Sequence, residues 1–294
     1  MTALATGTIA LPEPGVYTGV AESEYFAWPY ASKSKLWALH DCPAKAKWER
    51  DNGGRESTDA LTFGTAVDLA ILSPDEFSER VIVGPTKTRD TVKWCEIQDE
   101  NPDKILVTAA ESASIRNMVA SVKAHPIANL LLCETKGRNQ VAVVWDDPAG
   151  VRCKARIDRW CSVQLPGEDR SYSTHIDVKT ARSAKAWDFE KDAGALGYPV
   201  QEALYRRGCE CLDRAKGNDN PGYRRFLFVV IGKSPDYGAV HRVSVFEYRQ
   251  GDIEELTPLV ERLLRTWRDC EASGVWPERP ARVEELTVPP WHKV

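Results

Sequence analysis

Past Gly137 the chain changes its hydrophobic period, and that change confines it to a small set of folds. Up to that point apolar residues recur at helical intervals; after it they alternate, in "QVAVVWDD" and, beyond a turn at Pro148-Ala149-Gly150, in "VRCKARIDRWC". Alternation over runs of that length marks half-buried strands, and the short break between them marks a hairpin. A polar insertion, "QLPGEDRSYS", leads to a third strand containing "HIDVKT". Helical spacing returns at about Ala184 to Asp192 and Tyr198 to Leu212, the strands "RRFLFVVIG" and "AVHRVSVFEY" follow, and one long helix is expected from Asp252 to Ser273. A three-strand antiparallel meander, a helical pair able to make a crossover and two further strands define an α/β fold with one mixed central sheet flanked by helices.

The part before Gly137 reads as helical. Residues 1 to 27 hold Thr, Gly and Pro turns without periodicity, so an extended N-terminal arm over 1–31 is expected, followed by a single domain over 32–294. "SKSKLWALHDCPAKAKWER" predicts two short helices joined at Cys42-Pro43, because a proline inside the pattern must start a new turn. "STDALTFGTAVDLAILSPDEF" predicts a helix capped by Ser57 or Thr58 and ending near Ser73-Pro74. Residues 84 to 104 are polar and predict a loop around a short helix at Val92 to Ile97; Thr108 caps a helix to about Ala124, and "HPIANLLLCE" gives another short one.

Composition excludes several classes. With 294 residues, 43% hydrophobic and 28% charged, the chain can bury a substantial core as a globular protein. No apolar run approaches the roughly 18 residues of a membrane span, and no basic-then-apolar leader opens the chain, so a cytoplasmic protein without a membrane partner is expected. The eight cysteines are scattered, which points to reduced thiols; Cys209 and Cys211 do not share a helical face. The net charge of −4 supplies no global field for nucleic acid, so a DNA partner needs a local basic patch or metal ions.

Within "HIDVKT", Asp177 and Lys179 project from one strand face while Ile176 and Val178 point to the other. An ion pair at a strand end is one reading. The other requires further acids, and Asp158 on the preceding strand is placed to join them. Two carboxylates and the Val178 carbonyl suffice for Mg²⁺, which takes oxygen ligands at about 2.0–2.1 Å and keeps several waters. Lys179 would then orient the attacking water or stabilise the transition state.

Asp158 followed by Asp177-Val178-Lys179 resembles the bipartite signature of the PD-(D/E)XK nuclease superfamily, the restriction-endonuclease-like fold. "SKSKLWALHDCPAKAKW", "LTFGTAVDLAILSPDEF", "VRCKARIDRW", "IDVKT" and "GYPVQEALYRRG" are similar, in order over about residues 32 to 211, to the motifs of its RecE/RecB-like, phage-type exonucleases of the exodeoxyribonuclease VIII kind. The resemblance implies Asp158 and Asp177 as metal ligands, Lys179 as the catalytic lysine, and Tyr198, Gln201 and Tyr205 as a helical accessory motif. It implies a Mg²⁺-dependent exodeoxyribonuclease, with Mn²⁺ able to substitute, that digests one strand of linear duplex DNA 5′ to 3′ and leaves 3′ overhangs for recombination. A homo-oligomeric ring, a RecT-type single-strand annealing partner and a bacterial or phage-infected cell are implied with it. A single-strand or endonucleolytic enzyme of the same fold, an iron–sulfur variant and a catalytically impaired DNA-binding relative are the alternatives.

Two positions depart from the family pattern. Asp68 stands where the family has a histidine ligand; a hard oxygen donor suits Mg²⁺. Gln140 stands where relatives carry a glutamate at the start of the hairpin, with Glu134 as a substitute acid. His175 shares the strand face of Asp177 and is either a stand-in ligand or a structural hydrogen-bonding group. Arg156, Arg182 and Lys185, together with Arg152, Lys154 and Arg159, offer positive charge for phosphates. Of ten tryptophans, Trp145 and Trp267 read as core, and Trp28 and Trp94 as candidate wedges against bases.

Overall fold

The computed structural model describes residues 11–52, 58–219, 222–281, 283, 285, 287 and 288. Strand β1 (Gly15–Tyr17) and helix α1 (Glu22–Ala27) open it, followed by α2 (Lys33–Asp41), α3 (Pro43–Asp51), α4 (Asp59–Leu72) and α5 (Pro74–Arg80). A two-stranded parallel ribbon, β2 (Val81–Val83) and β3 (Ile105–Val107), encloses α6 (Val92–Glu100). Next come α7 (Ala109–Ala124), α8 (Pro126–Asn129) and a π-helical turn at Leu130–Glu134, then the hairpin β4 (Gly137–Asp147) and β5 (Val151–Val163), and β6 (Tyr172–Ala181). Helices α9 (Ala186–Leu196) and α10 (Tyr198–Ala215), strands β7 (Arg225–Tyr237) and β8 (Val240–Phe246), and helices α11 (Gln250–Glu254) and α12 (Thr257–Ser273) complete it.

The main sheet has the order β1-β4-β5-β6-β7-β8. All neighbours are antiparallel except β6 and β7, which α9 and α10 connect as a crossover. One core layer joins the sheet to α10 and α12 through Val200, Leu204, Leu263 and Trp267; the other joins it to α4 and α7 through Phe63, Val67, Ile115 and Met118. Each large apolar side chain fully buried there contributes about 1.5–3 kcal/mol. Gly208 lets α10 cross the sheet closely, since a Cβ there would fall 2.8 Å from the Trp145 ring.

Local chemistry sets the helix ends as read. Thr58 Oγ1 accepts from Leu61 N and caps α4, while Ser57 lies outside the described residues. Thr108 and Glu111 form a reciprocal capping box at α7. Pro43 starts α3, and Gly197, at φ 69°, takes the left-handed turn that separates α9 from α10.

Three expectations are corrected. From residue 15 onward the extended N-terminal arm is part of the domain: β1 pairs with β4, and Tyr25, Trp28 and Tyr30 pack on Ala142 and Val144. Aromatic residues in this segment bury enough apolar area to hold it without periodicity. The single closing helix is two, α11 and α12, because Pro258 lacks an N–H and is tolerated only in a first turn. Both candidate wedges are buried, Trp28 at 1% and Trp94 at 4% exposure; Trp94 fills the space left by Gly84, where a Cβ would fall 2.1 Å from its ring.

Candidate active site

The hairpin changes faces where the site forms. Val141, Val143 and Trp145, with their partners Ile157, Ala155 and Cys153, pack in the first core layer, yet Cys161 and Val163, of the same parity, pack in the second. A regular strand keeps such residues on one side, so the pair rotates between 157 and 161. Gln140, opposite Asp158, sits at that rotation with φ 51°, the positive φ of a non-glycine among the described residues. The twist carries Asp158 to the edge of β6.

There the ladder opens. Pairing of β5 with β6 runs from Val163 and Tyr172 to Arg159 and Ile176, and at the next accessible group Asp158 Oδ2 accepts from Val178 N at 2.9 Å. Because the N–H and C=O of one extended residue point to the same edge, the Val178 carbonyl faces the same opening. Asp177, 3% exposed, accepts from Gln201 Nε2 at 2.5 Å through Oδ1 and pairs with the Lys179 ammonium through Oδ2, which has no other donor. Asp68 comes in from α4, and Thr65, Asp68, Gln140, Arg156 and Asp158 line one cavity of about 180 Å³.

Charge is unbalanced at this point. Burial, then the field of Asp158, pushes the Asp68 carboxyl well above the ordinary aspartate range, with Lys179 opposing. Burial, then Asp177, raises Asp158 in the same sense against Lys179. Burial works against the Lys179 charge, but Asp177 and Asp158 outweigh it and hold the ammonium above the ordinary lysine range. Lys33, absent from the sequence reading, faces the same group: burial, then Lys179, lowers it to about 8. Its ammonium and that of Lys179 both lie over the Tyr198 ring, at 5.1 and 5.0 Å.

Among the described residues, no three His, Cys, Asp or Glu side chains stand at ion-ligating spacing. The donor chemistry nevertheless fits a hard divalent cation: three desolvated carboxylates that repel one another, one backbone carbonyl, and one lysine opposing them.

The remaining candidates divide. Tyr205 donates to the Arg156 carbonyl at 3.2 Å, so α10 braces both strands, through Gln201 on β6 and Tyr205 on β5. Arg156 reaches the cavity rim, with Glu22 3.8 Å away. Arg182 and Lys185 are exposed beyond the end of β6, Arg182 near Asp192. Glu134 is not brought in: it lies exposed on the π-helical turn and accepts from Asn129. His175 is buried against Trp160 and Phe226, and burial holds its imidazole down at about 3, as a neutral core group. Arg152 is taken up by Asp146, Lys154 by the carbonyls ending α1, and Arg159 by Leu131, Thr135 and Asn139, so these three are structural rather than free for phosphates. Glu22, Phe26 and Arg80, which share the cavity, carry no sequence signal.

This geometry, two acids and a lysine where two central strands of a mixed sheet part, is that of a PD-(D/E)XK nuclease-like domain. Residues 32–287 match the family described as PDDEXK-like domain of unknown function (DUF3799), and the chain belongs to that family. The fold is similar to that of a protein from Eubacterium rectale, provisionally described as an exonuclease, with a TM-score of 0.58 at 14% identity, over 93% of this chain and 97% of that one. The comparison with curated proteins finds no match. No helix among the described residues is long and apolar enough to cross a membrane.

Proposed function

We propose that the chain is a metal-dependent deoxyribonuclease that hydrolyses phosphodiester bonds. The observation that carries this reading is the gathering of Asp68, Asp158 and Asp177, from three separate segments, within one another's fields beside Lys179. The three carboxylates and the Val178 carbonyl would hold Mg²⁺, with Mn²⁺ as a substitute. When bound, the ion acidifies a water and offsets charge on the scissile phosphate.

The chain's own groups do the rest. Gln201 fixes the rotamer of Asp177 by its hydrogen bond, and Tyr205 ties the opposite strand to the same helix. Lys179, kept charged by its acidic neighbours, is placed to donate to the attacking water or to a phosphate oxygen. Tyr198 supports that ammonium from below through its ring. Arg156 supplies charge at the rim for the phosphate backbone, with Arg182 and Lys185 further along.

The finer reading is an exonuclease that degrades one strand of linear duplex DNA 5′ to 3′ and leaves 3′ overhangs for recombination. It acts as a homo-oligomeric ring beside a RecT-type annealing protein. The order of the sequence motifs supports it, and the description of the E. rectale protein as an exonuclease supports its exonuclease part alone. The test is incubation of the purified protein with linear duplex labelled at either the 5′ or the 3′ ends, and with a covalently closed circle, in Mg²⁺ and in chelator. Label released from 5′ ends in Mg²⁺ alone, an intact circle, and loss of cleavage in Lys179→Ala are expected. Cutting of the circle makes the enzyme an endonuclease, and absence of metal-dependent cleavage of any DNA removes the reading.

A further inference from the structure

Helix α1 holds an aromatic ring at the rim of the site. Phe26 is 65% exposed between two buried aromatic neighbours, Tyr25 and Trp28, and it lines the same cavity as Asp68 and Asp158. A single exposed phenylalanine is ordinary on a protein surface, but this one is rigidly mounted. The end of α1 is tied down by Lys154, a side chain 2% exposed, whose Nζ donates to the carbonyls of Tyr25 at 2.6 Å, Phe26 at 3.3 Å and Trp28 at 2.7 Å. A buried ammonium at a helix C-terminus satisfies the carbonyls that lack intrahelical partners. Tyr25 meets the Phe26 ring edge-on, with centroids 5.5 Å apart. The ring is thereby held on one side and open on the other.

Around it the cavity sets two guanidinium groups among carboxylates, Glu22 and Glu76 at the Arg80 side and Asp68 and Asp158 further in. One helical turn before Phe26, Glu22 stands between Arg80, at 3.4 Å, and Arg156, at 3.8 Å, and Arg80 also donates to Glu76 at 2.6 Å, so two guanidinium groups, each facing Glu22, line the cavity with Phe26. Cations beside an open aromatic face, next to acids suited to a metal, match the alternation of phosphate and base along a nucleic-acid strand. We propose that Phe26 stacks on the nucleobase adjoining the phosphate at the candidate metal centre, with Arg80 and Arg156 on the backbone beside it. Phe26 is thus a positioning residue that sets which phosphate reaches the acids. The inference rests on the nuclease reading of the site.

The experiment measures Mg²⁺-dependent cleavage by the full chain of a duplex carrying one abasic position, moved stepwise along the cut strand. Wild type, Phe26→Ala and Phe26→Trp are compared. Stacking on an aromatic side chain predicts a loss of about 5- to 150-fold in kcat/KM for Phe26→Ala on intact DNA, restored by Phe26→Trp. At one abasic position the wild type should fall to the rate of Phe26→Ala, while Phe26→Ala itself should not respond to that lesion. A wild type and Phe26→Ala slowed by the same factor at every abasic position overturns the inference while leaving the nuclease intact. A wild type that cuts nothing in Mg²⁺ fails at the earlier step and takes the inference with it.

Discussion

Two buried aspartates of one sheet show what separates a structural acid from the acids of the site. Asp147, 4% exposed at the end of β4, accepts from Arg207 Nε at 2.7 Å and Nη2 at 3.0 Å, and from Ala149 N at 2.9 Å. A bidentate guanidinium and a backbone donor leave that carboxylate fully matched inside the protein. Asp177 is equally buried, but its neighbours include Asp158 and Asp68, and the nearest opposing charge is one lysine. Folding has given Asp147 a guanidinium of its own, while Asp68, Asp158 and Asp177 share the field of Lys179. A region in which burial and like charges both raise carboxyl groups is held together by the rest of the fold and is suited to an external cation.

The contrast breaks most visibly in activity. Asp177→Asn keeps the acceptor for Gln201 and removes the charge, so DNA cleavage should fall by about 10³-fold or more, equivalent to about 4 kcal/mol of barrier, with an unchanged circular dichroism spectrum. Asp147→Ala should do the reverse. It strands Arg207 beside Glu261 alone and should lower unfolding free energy by about 3–5 kcal/mol in urea titrations, while the protein that stays folded keeps its rate. Mg²⁺ supplies the next contrast. At about 100 times its dissociation constant it should stabilise the wild type by about 2.7 kcal/mol in thermal melts and have much less effect on Asp177→Asn. An equal rise in both would place the ion elsewhere.

Much of this arrangement was legible because it depends on period. The shift at Gly137, the hairpin, the parallel crossover and the two acid-bearing strands all follow from alternation and turn chemistry within a few residues. What escaped depends on distant packing. Glu22 and Phe26 sit on a six-residue helix with no apolar repeat, and Lys154, more than 120 residues away, fixes its end. Lys154 looks like a surface cation by alternation and is buried by the packing of α1, whereas Arg159 shares the parity of Ile157 and Cys161 and is buried with them, its charge met by the Leu131 and Thr135 carbonyls and Asn139. Trp94 lies in a polar segment, and only the absence of a side chain at Gly84 gives it a place inside. Asp68 entered through family resemblance alone, since nothing local in an apolar helix says that the acid in its third turn will meet two strands more than 80 residues on.

Asp68 also gives the smallest and most diagnostic effect. Its folded carboxyl is raised above the unfolded value, so as pH climbs past about 4 the unfolded chain releases this proton first, and native stability declines until the folded group ionises as well. Asp68→Asn removes that decline. Metal-free melts should show the variant no more stable than wild type near pH 4 and more stable by about 1 kcal/mol near pH 8, the size expected when a buried charge among like charges is neutralised. Adding Mg²⁺ at pH 8 should reverse the order, because the wild type gains a ligand that the variant has lost. If the variant is instead less stable than wild type at pH 8 without metal, Asp68 is matched within the fold as Asp147 is, and the distinction between the two regions does not extend to α4.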